Sequence, residues 1–188
     1  AQGRLALYRL DGDGRPEPVS TLEGLGDARQ ISVSEGFAYV TARADGLYIC
    51  DLRRPEAPVL AARVDTLELA TGVCAADGLL AVTNRHMGCE LWNVRDPYAP
   101  AWLGSFLCGE AQSVWLDGEL ALIGDWVNRR VHLFDLSDPR RARKLAQLEV
   151  DGFADGVCVV RTADAAHPEG RRLCLTATGH HAARYRNR

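Results

Sequence analysis

The chain has 188 residues, a formal net charge of −3, and 47% hydrophobic and 25% charged residues. These are the proportions of a globular chain, and at this length about 70% of the unfolded surface can be buried. The slightly negative charge argues against a nucleic-acid partner, which calls for a basic face, and no apolar run has the length of a membrane span.

Residues 1–27 read as the second half of a four-stranded unit, with the run Leu5-Ala6-Leu7-Tyr8-Arg9-Leu10-Asp11, a turn holding Pro16 and Pro18, and a strand from Val19. The Asp11-Gly12-Asp13-Gly14 stretch has the acidic-Gly content of a calcium loop, but it lacks the downstream Glu and stands where a turn is needed, so it reads as a turn. A full unit follows over 28–69. It opens with Ala28-Arg29-Gln30-Ile31-Ser32-Val33, turns at Glu35-Gly36, and continues as Phe37-Ala38-Tyr39-Val40-Thr41. Leu47-Tyr48-Ile49-Cys50-Asp51 comes next, then Pro55, Pro58 and a strand over 59–62. The second unit, 70–110, repeats the order with Ala70-Thr71-Gly72-Val73-Cys74, Asp77-Gly78, Leu79-Leu80-Ala81-Val82-Thr83, Glu90-Leu91-Trp92-Asn93, Pro97, Pro100 and a strand over 101–106. The third, 111–153, has Ala111-Gln112-Ser113-Val114-Trp115, Asp117-Gly118, Glu119-Leu120-Ala121-Leu122-Ile123, Val131-His132-Leu133-Phe134-Asp135, Pro139 and a strand over 144–150. From residue 154 only a first half remains: Asp155-Gly156-Val157-Cys158-Val159-Val160, a longer hairpin loop around Pro168 and Gly170, and Leu173-Cys174-Leu175-Thr176-Ala177-Thr178.

Asp51, Asn93 and Asp135 are spaced by 42 residues, and Pro55, Pro97 and Pro139 keep the same step. Acidic-Gly pairs between apolar runs signal tight hairpins, and Pro cannot continue a ladder, so each unit is four short antiparallel strands. Only the basic stretch 140–144 has a helical period. The fold class is all-β, a β-propeller of four-stranded blades of about 42 residues. Sixteen strands make four blade equivalents, which would close a ring if the terminal halves paired. An opening in mid-repeat is instead expected of a window cut from a larger propeller. Of the six cysteines none forms a C-x-x-C pair, and Cys50, Cys74, Cys158 and Cys174 sit in apolar strands, so they read as small buried hydrophobes.

The runs Leu47-Tyr48-Ile49-Cys50-Asp51 and Val131-His132-Leu133-Phe134-Asp135, and the weaker Glu90-Leu91-Trp92-Asn93-Val94, each followed by a Pro turn, resemble the LVIVD-repeat family of bacterial β-propellers. The resemblance spans about residues 5–181. It implies an exported or cell-envelope protein in many cases, and no common activity. The second copy carries Asn93 where the motif has Asp, and the fourth never reaches that position.

Positions that agree between copies build the blade; polar positions that differ are free for other chemistry. The start of the first strand and the end of the second lie side by side in a hairpin, so they share one face and, with the first strand innermost, ring one mouth of the central channel. First-strand starts supply Arg29, Gln30, Gln112 and Asp155. Second-strand ends supply Arg43, Asn84, Arg85, His86, Asp125, Trp126, Asn128, His180 and His181, while Thr71, Ser113 and Thr178 complete the rim. Concave mouths on rigid scaffolds are where ligands bind.

Three functional readings stay open. In the first, a binding module recognises a polar small molecule, anionic or carbohydrate: Arg29, Arg43 and Arg85 fork onto carboxylates, Asn84, Gln112 and Asn128 take hydroxyls, and Trp126 stacks on a sugar ring. In the second, a metal-assisted lyase or hydrolase holds a divalent cation through His180 and His181 with His86, Asp125 or Asp155. In the third, the propeller is a platform for a protein partner, with the basic turn at 140–144 as contact. No G-x-S-x-G elbow, phosphate-binding loop or H-E-x-x-H helix is present.

Overall fold

The computed structural model describes residues 3–164 and 166–179. Among them are sixteen strands and one 3₁₀ turn, Pro139–Arg141. The strands fall into three four-stranded antiparallel sheets and two two-stranded ones. The first pair is β1 (Arg4–Leu10) with β2 (Pro16–Glu23). Blade 1 comprises β3 (Gln30–Ser34), β4 (Phe37–Thr41), β5 (Leu47–Asp51) and β6 (Val59–Val64). Blade 2 comprises β7 (Ala70–Ala76), β8 (Leu79–Asn84), β9 (Cys89–Asn93) and β10 (Ala101–Phe106). Blade 3 comprises β11 (Ala111–Asp117), β12 (Leu120–Asp125), β13 (Arg130–Asp135) and β14 (Arg143–Glu149). A last hairpin joins β15 (Phe153–Asp164) to β16 (His167–Gly179). In each blade the strands lie in chain order, an all-β, propeller-like arrangement. The two terminal hairpins form separate sheets, so no ring is closed by their pairing.

The hairpin turns follow from φ. Glu35 and Gly36 have φ of 50° and 79°, and Asp77 and Gly78 have 52° and 75°. Two successive positive values suit the twist of a two-residue hairpin, and Gly in second place makes them tolerable. In blade 3 Asp117 still pairs with Leu120, so the loop is Gly118-Glu119 rather than the acidic-Gly pair. At the Pro turns the motif's last residue makes the same Asx turn each time. Asp51 Oδ1 accepts the Arg53 N–H at 2.9 Å, Asn93 Oδ1 the Arg95 N–H at 3.0 Å, and Asp135 Oδ1 the Ser137 N–H at 2.9 Å. Amide and carboxylate oxygens both accept, so Asn93 closes its turn as Asp does. Asp11 Oδ1 accepts from the Asp13 and Arg15 N–H groups, which gives the Asp-Gly-Asp-Gly stretch its turn.

Three expectations are corrected. Pro16 and Pro18 lie inside β2, opposite Leu10 and Tyr8, where an outer strand tolerates a missing N–H. Pro168 and Gly170 lie inside β16, because β15 runs on to Asp164; Gly170, at φ 87°, adjoins a register shift that absorbs it. The basic stretch 140–144 is divided between the 3₁₀ turn and the start of β14.

The core consists of layers between sheets. Leu47 and Ile49 of blade 1 meet Leu80 and Val82 of blade 2, and Leu91 and Cys89 meet Val114 and Ile123 of blade 3. Leu5 and Leu22 of the first hairpin pack against Tyr48 and Cys50, while Leu122 and Val131 pack against Val157. Every residue of β4 and β5 is buried, whereas every residue of β14 is exposed. Cys50, Cys89 and Cys108 are buried free thiols, Cys74 and Cys158 half-buried, and Cys174 is exposed.

First strands of neighbouring blades approach closely at Gly72, where a Cβ would stand 2.7 Å from the Gln112 carbonyl oxygen. Gly72→Ala is expected to lower stability by about 1–3 kcal/mol through overpacking. Gly12→Ala, which meets nothing within 4 Å, leaves the urea midpoint unchanged. Equal midpoints for the two variants would show that β7 and β11 are not in close contact.

Candidate functional site

Hairpin register places first-strand starts beside second-strand ends: Gln30 faces Thr41, Ala70 faces Asn84, Ala111 faces Asp125 and Ala154 faces Thr178. The rim continues from blade to blade through the backbone, since Ala70 N–H donates to the Arg43 carbonyl at 3.1 Å and Ala111 N–H to the Arg85 carbonyl at 2.8 Å. A cavity of about 370 Å³ opens at this rim, lined by Arg29, Arg43, Thr71, Arg85, Gln112, Trp126 and Asp155, with Leu69 and Glu110.

Six of the candidate residues therefore meet around one cavity: Arg29, Arg43, Arg85, Gln112, Trp126 and Asp155. Arg43 Nε lies 3.2 Å from Asp27 Oδ2, and Arg85 Nε donates to Glu110 Oε1 at 3.0 Å. The Trp126 indole N–H donates to Asp155 Oδ1 at 2.9 Å, and its ring stacks on Phe153 with centroids 4.5 Å apart. One broad ring face is thereby already occupied. Thr71 Oγ1 lies 2.8 Å from the Ala111 carbonyl oxygen and 2.9 Å from Thr83 Oγ1, a cross-blade contact. Arg29 and Gln112 make no side-chain hydrogen bond or ion pair with another described residue.

The remaining candidates lie elsewhere. Asn84 and Asp125 are buried and do not line the cavity. Asn84 Nδ2 donates to Glu90 Oε2 at 2.5 Å, and Glu90 in turn accepts the Leu67 N–H at 3.2 Å. Asp125 accepts the Glu110 N–H at 3.0 Å, both its oxygens accept from Asn128 Nδ2, and Oδ2 lies 3.2 Å from His132 Nε2. Asp45 Oδ2 likewise accepts the Asp27 N–H at 3.0 Å. A carboxylate thus holds the linker before each blade, and these linkers carry Leu69 and Glu110 into the cavity. His86 is exposed; its N–H donates to Glu68, and its Nδ1 stands 3.9 Å from Glu110 Oε2. Gln30 takes part through its backbone N–H, 3.2 Å from Thr41 Oγ1. His180 and His181 lie outside the described residues, and among those described no group of three or more His, Cys, Asp or Glu side chains is placed to hold a metal.

Glu110 and Leu69 escaped sequence reasoning because they stand one residue before the strand start. Their signal was positional: they occupy the same offset as Asp27, just ahead of Ala111, Ala70 and Ala28. Glu90 and His132 were hidden inside apolar runs at the shared 42-residue step.

The LVIVD repeat family model matches residues 25–66 and 108–139. The chain thus carries two matched copies of the LVIVD repeat. No curated protein matches it. The first LVIVD segment carries Arg29 and Arg43 and the second carries Glu110, Gln112 and Trp126, whereas Thr71, Arg85 and Asp155 come from outside both. The cavity is thus assembled from matched and diverged copies together.

Burial holds the His132 imidazole below its ordinary value, outweighing the opposite pull of Asp125; Lys144 and Arg130 act in the same direction as burial. The unfolded chain then takes up a proton before the folded one, so this contribution to stability is full above the unfolded value, about pH 6.5, and is lost as pH falls through the folded value. Urea denaturation at about pH 7.5 and about pH 5.5 should show a loss of stability that His132→Gln lacks. An identical loss in both proteins would assign the effect to other groups.

Proposed function

We propose that the rim cavity binds a small polar ligand bearing a carboxylate, with acidic sugars as the class that suits it best. The observation that carries this reading is Arg29: a guanidinium on a polar cavity wall with no partner among the described residues, beside a similarly free Gln112 amide. A guanidinium supplies a planar fork that matches a carboxylate, and an amide offers both a donor and an acceptor to hydroxyls. Glu110 and Asp155 stand on the same wall and would accept from hydroxyls, while Glu110 holds Arg85 in place.

Backbone strain adds support. Arg43 and Arg85 have φ of 49° and 34°, a region that disfavours any side chain with a Cβ. Glycine would relieve that strain, yet both copies present a cation into the cavity. Trp126, at the corresponding place in blade 3, supplies an indole whose N–H is spent on Asp155, so it shapes the wall for a sugar edge rather than offering an open stacking face.

Calorimetric titration with acidic oligosaccharides, their neutral counterparts and simple carboxylates tests the reading. Arg29→Ala is expected to weaken binding of an acidic ligand by roughly 10- to 150-fold, corresponding to about 1.5–3 kcal/mol for a hydrogen bond to a charged group. Equal affinity for neutral and acidic ligands, or no loss with Arg29→Ala, would defeat the proposal. Arg43→Gly should weaken binding as well while holding or raising stability by up to about 1 kcal/mol, because its partner Asp27 is largely exposed and the pair contributes little.

A further inference from the structure

A recurring backbone irregularity shapes the rim. Ala70 faces Asn84 and Gly72 faces Thr83, so Thr71 is left over between them. Gln112 is left over in the same way between Ala111 and Ser113, and Asp155 between Ala154 and Gly156. A bulge of this kind takes one residue out of the ladder and re-aims its side chain, and all three residues line the rim cavity. Arg29 follows Ala28 as these residues follow Ala70, Ala111 and Ala154, and it lines the same cavity. One position of the repeat therefore supplies a guanidinium, a hydroxyl, an amide and a carboxylate.

Their order around the mouth is their order along the chain, because each unit is joined to the next. Ala70 N–H donates to the Arg43 carbonyl and Ala111 N–H to the Arg85 carbonyl. Gly124 lies so close to the last hairpin that a Cβ would stand 2.7 Å from the Ala154 carbonyl oxygen. The cavity thus has two unlike ends. At the blade 1 end stand Arg29 and Arg43. In the middle Arg85 and Glu110 pair with each other at 3.0 Å, and Thr71 and Gln112 offer uncharged polar groups. At the last-hairpin end stands Asp155, whose Oδ1 accepts the Trp126 indole N–H at 2.9 Å. That donor is neutral, so it aims the carboxylate and leaves its charge in place.

We infer that the ligand of this cavity is dipolar: a single sugar ring with a carboxylate at the Arg29 end and a protonated amine at the Asp155 end. The inference rests on the carboxylate reading proposed above and adds the second group. A ligand anionic along its whole length would set a like charge against Asp155. An ammonium there gains a charge-assisted hydrogen bond, roughly twice as strong as one between neutral groups. Size points the same way. A volume of about 370 Å³ lies near the lower limit of the roughly 300–1,000 Å³ found for small-molecule sites, which suits one ring better than an extended polymer. Asp155 is then the residue that sets specificity, since it disfavours polyanions that Arg29 alone would admit.

A matched set of four sugars tests this: galactose, galactosamine, galacturonic acid and galactosaminuronic acid. Each is titrated calorimetrically into the full chain at about pH 6, where an amine is protonated and a carboxylate ionised. Galactosaminuronic acid, which carries both charges, is expected to bind about tenfold more tightly than galacturonic acid, the lower end for a hydrogen bond to a charged group. Asp155→Asn, whose amide oxygen can still accept from Trp126, should remove most of that advantage without weakening galacturonic acid. Arg29→Ala should weaken both acidic sugars alike. Galacturonic acid binding as tightly as galactosaminuronic acid, or an advantage that survives Asp155→Asn, would overturn the dipolar inference and leave the carboxylate reading standing. Galactose or galactosamine binding as tightly as galactosaminuronic acid, or no binding by any of the four, would overturn the carboxylate reading and this inference with it. The comparison on the unaltered chain needs no substitution, so it decides even where a variant does not fold.

Discussion

A sheet whose middle strands are buried on both faces cannot be stable alone. All residues of β4 and β5 are buried, which requires an apolar neighbour on each side: blade 2 covers one face of blade 1 through layers such as Ile49 against Val82, the first hairpin covers the other through Leu5 and Leu22, and blades 2 and 3 meet through Leu91 against Ile123. Each blade contributes both the cover of its predecessor and the surface that its successor must cover. Stacking and the converging strand starts follow from this dependence, and so does the apolar groove beside the last sheet, which has two strands among the described residues.

The rim is built mainly by main-chain groups and by carboxylates beneath it. Asp45, Glu90 and Asp125 come from different places in their blades, yet each accepts an N–H from the linker ahead of a first strand. Burial raises the Glu90 carboxyl above its ordinary range, against the lowering effect of its hydrogen bonds to Leu67, Asn84 and Trp102. In blade 3 the acid sits at the end of the second strand and His132 takes the third-strand position; in blade 2 the acid is on the third strand and Asn84 at the end of the second. One supporting contact is thus achieved with exchanged chemistry.

That exchange explains where sequence reasoning stopped short. Strand order, turn positions and the 42-residue step were legible because φ > 0 and the missing proline N–H leave letters behind: Gly36, Gly78, Pro55 and Pro97. Arg29, Arg43, Arg85 and Gln112 were legible as rim residues because register alone puts them there. Asn84 and Asp125 have the same polar character at the same strand ends, but side chains at neighbouring positions point to opposite sides, and composition does not say which side is wet. Glu90 and His132 were invisible for the complementary reason: a polar residue within an apolar run is recognised as a buried partner only once its mate is known. The extent of β15 and β16 was misjudged because Pro168 and Gly170, read as loop formers, are accommodated by a bulge.

The carbonyls of Arg43 and Arg85 join consecutive blades, a task that calls for no particular side chain, although the positive φ there excludes proline and disfavours β-branched residues. Selection on the join therefore places little restriction on what projects from it. A codon change at either position alters what the rim meets while leaving the blade-to-blade bond intact, so recognition can diverge among related chains faster than architecture does. Duplicated units could then acquire different specificities without first losing their fold.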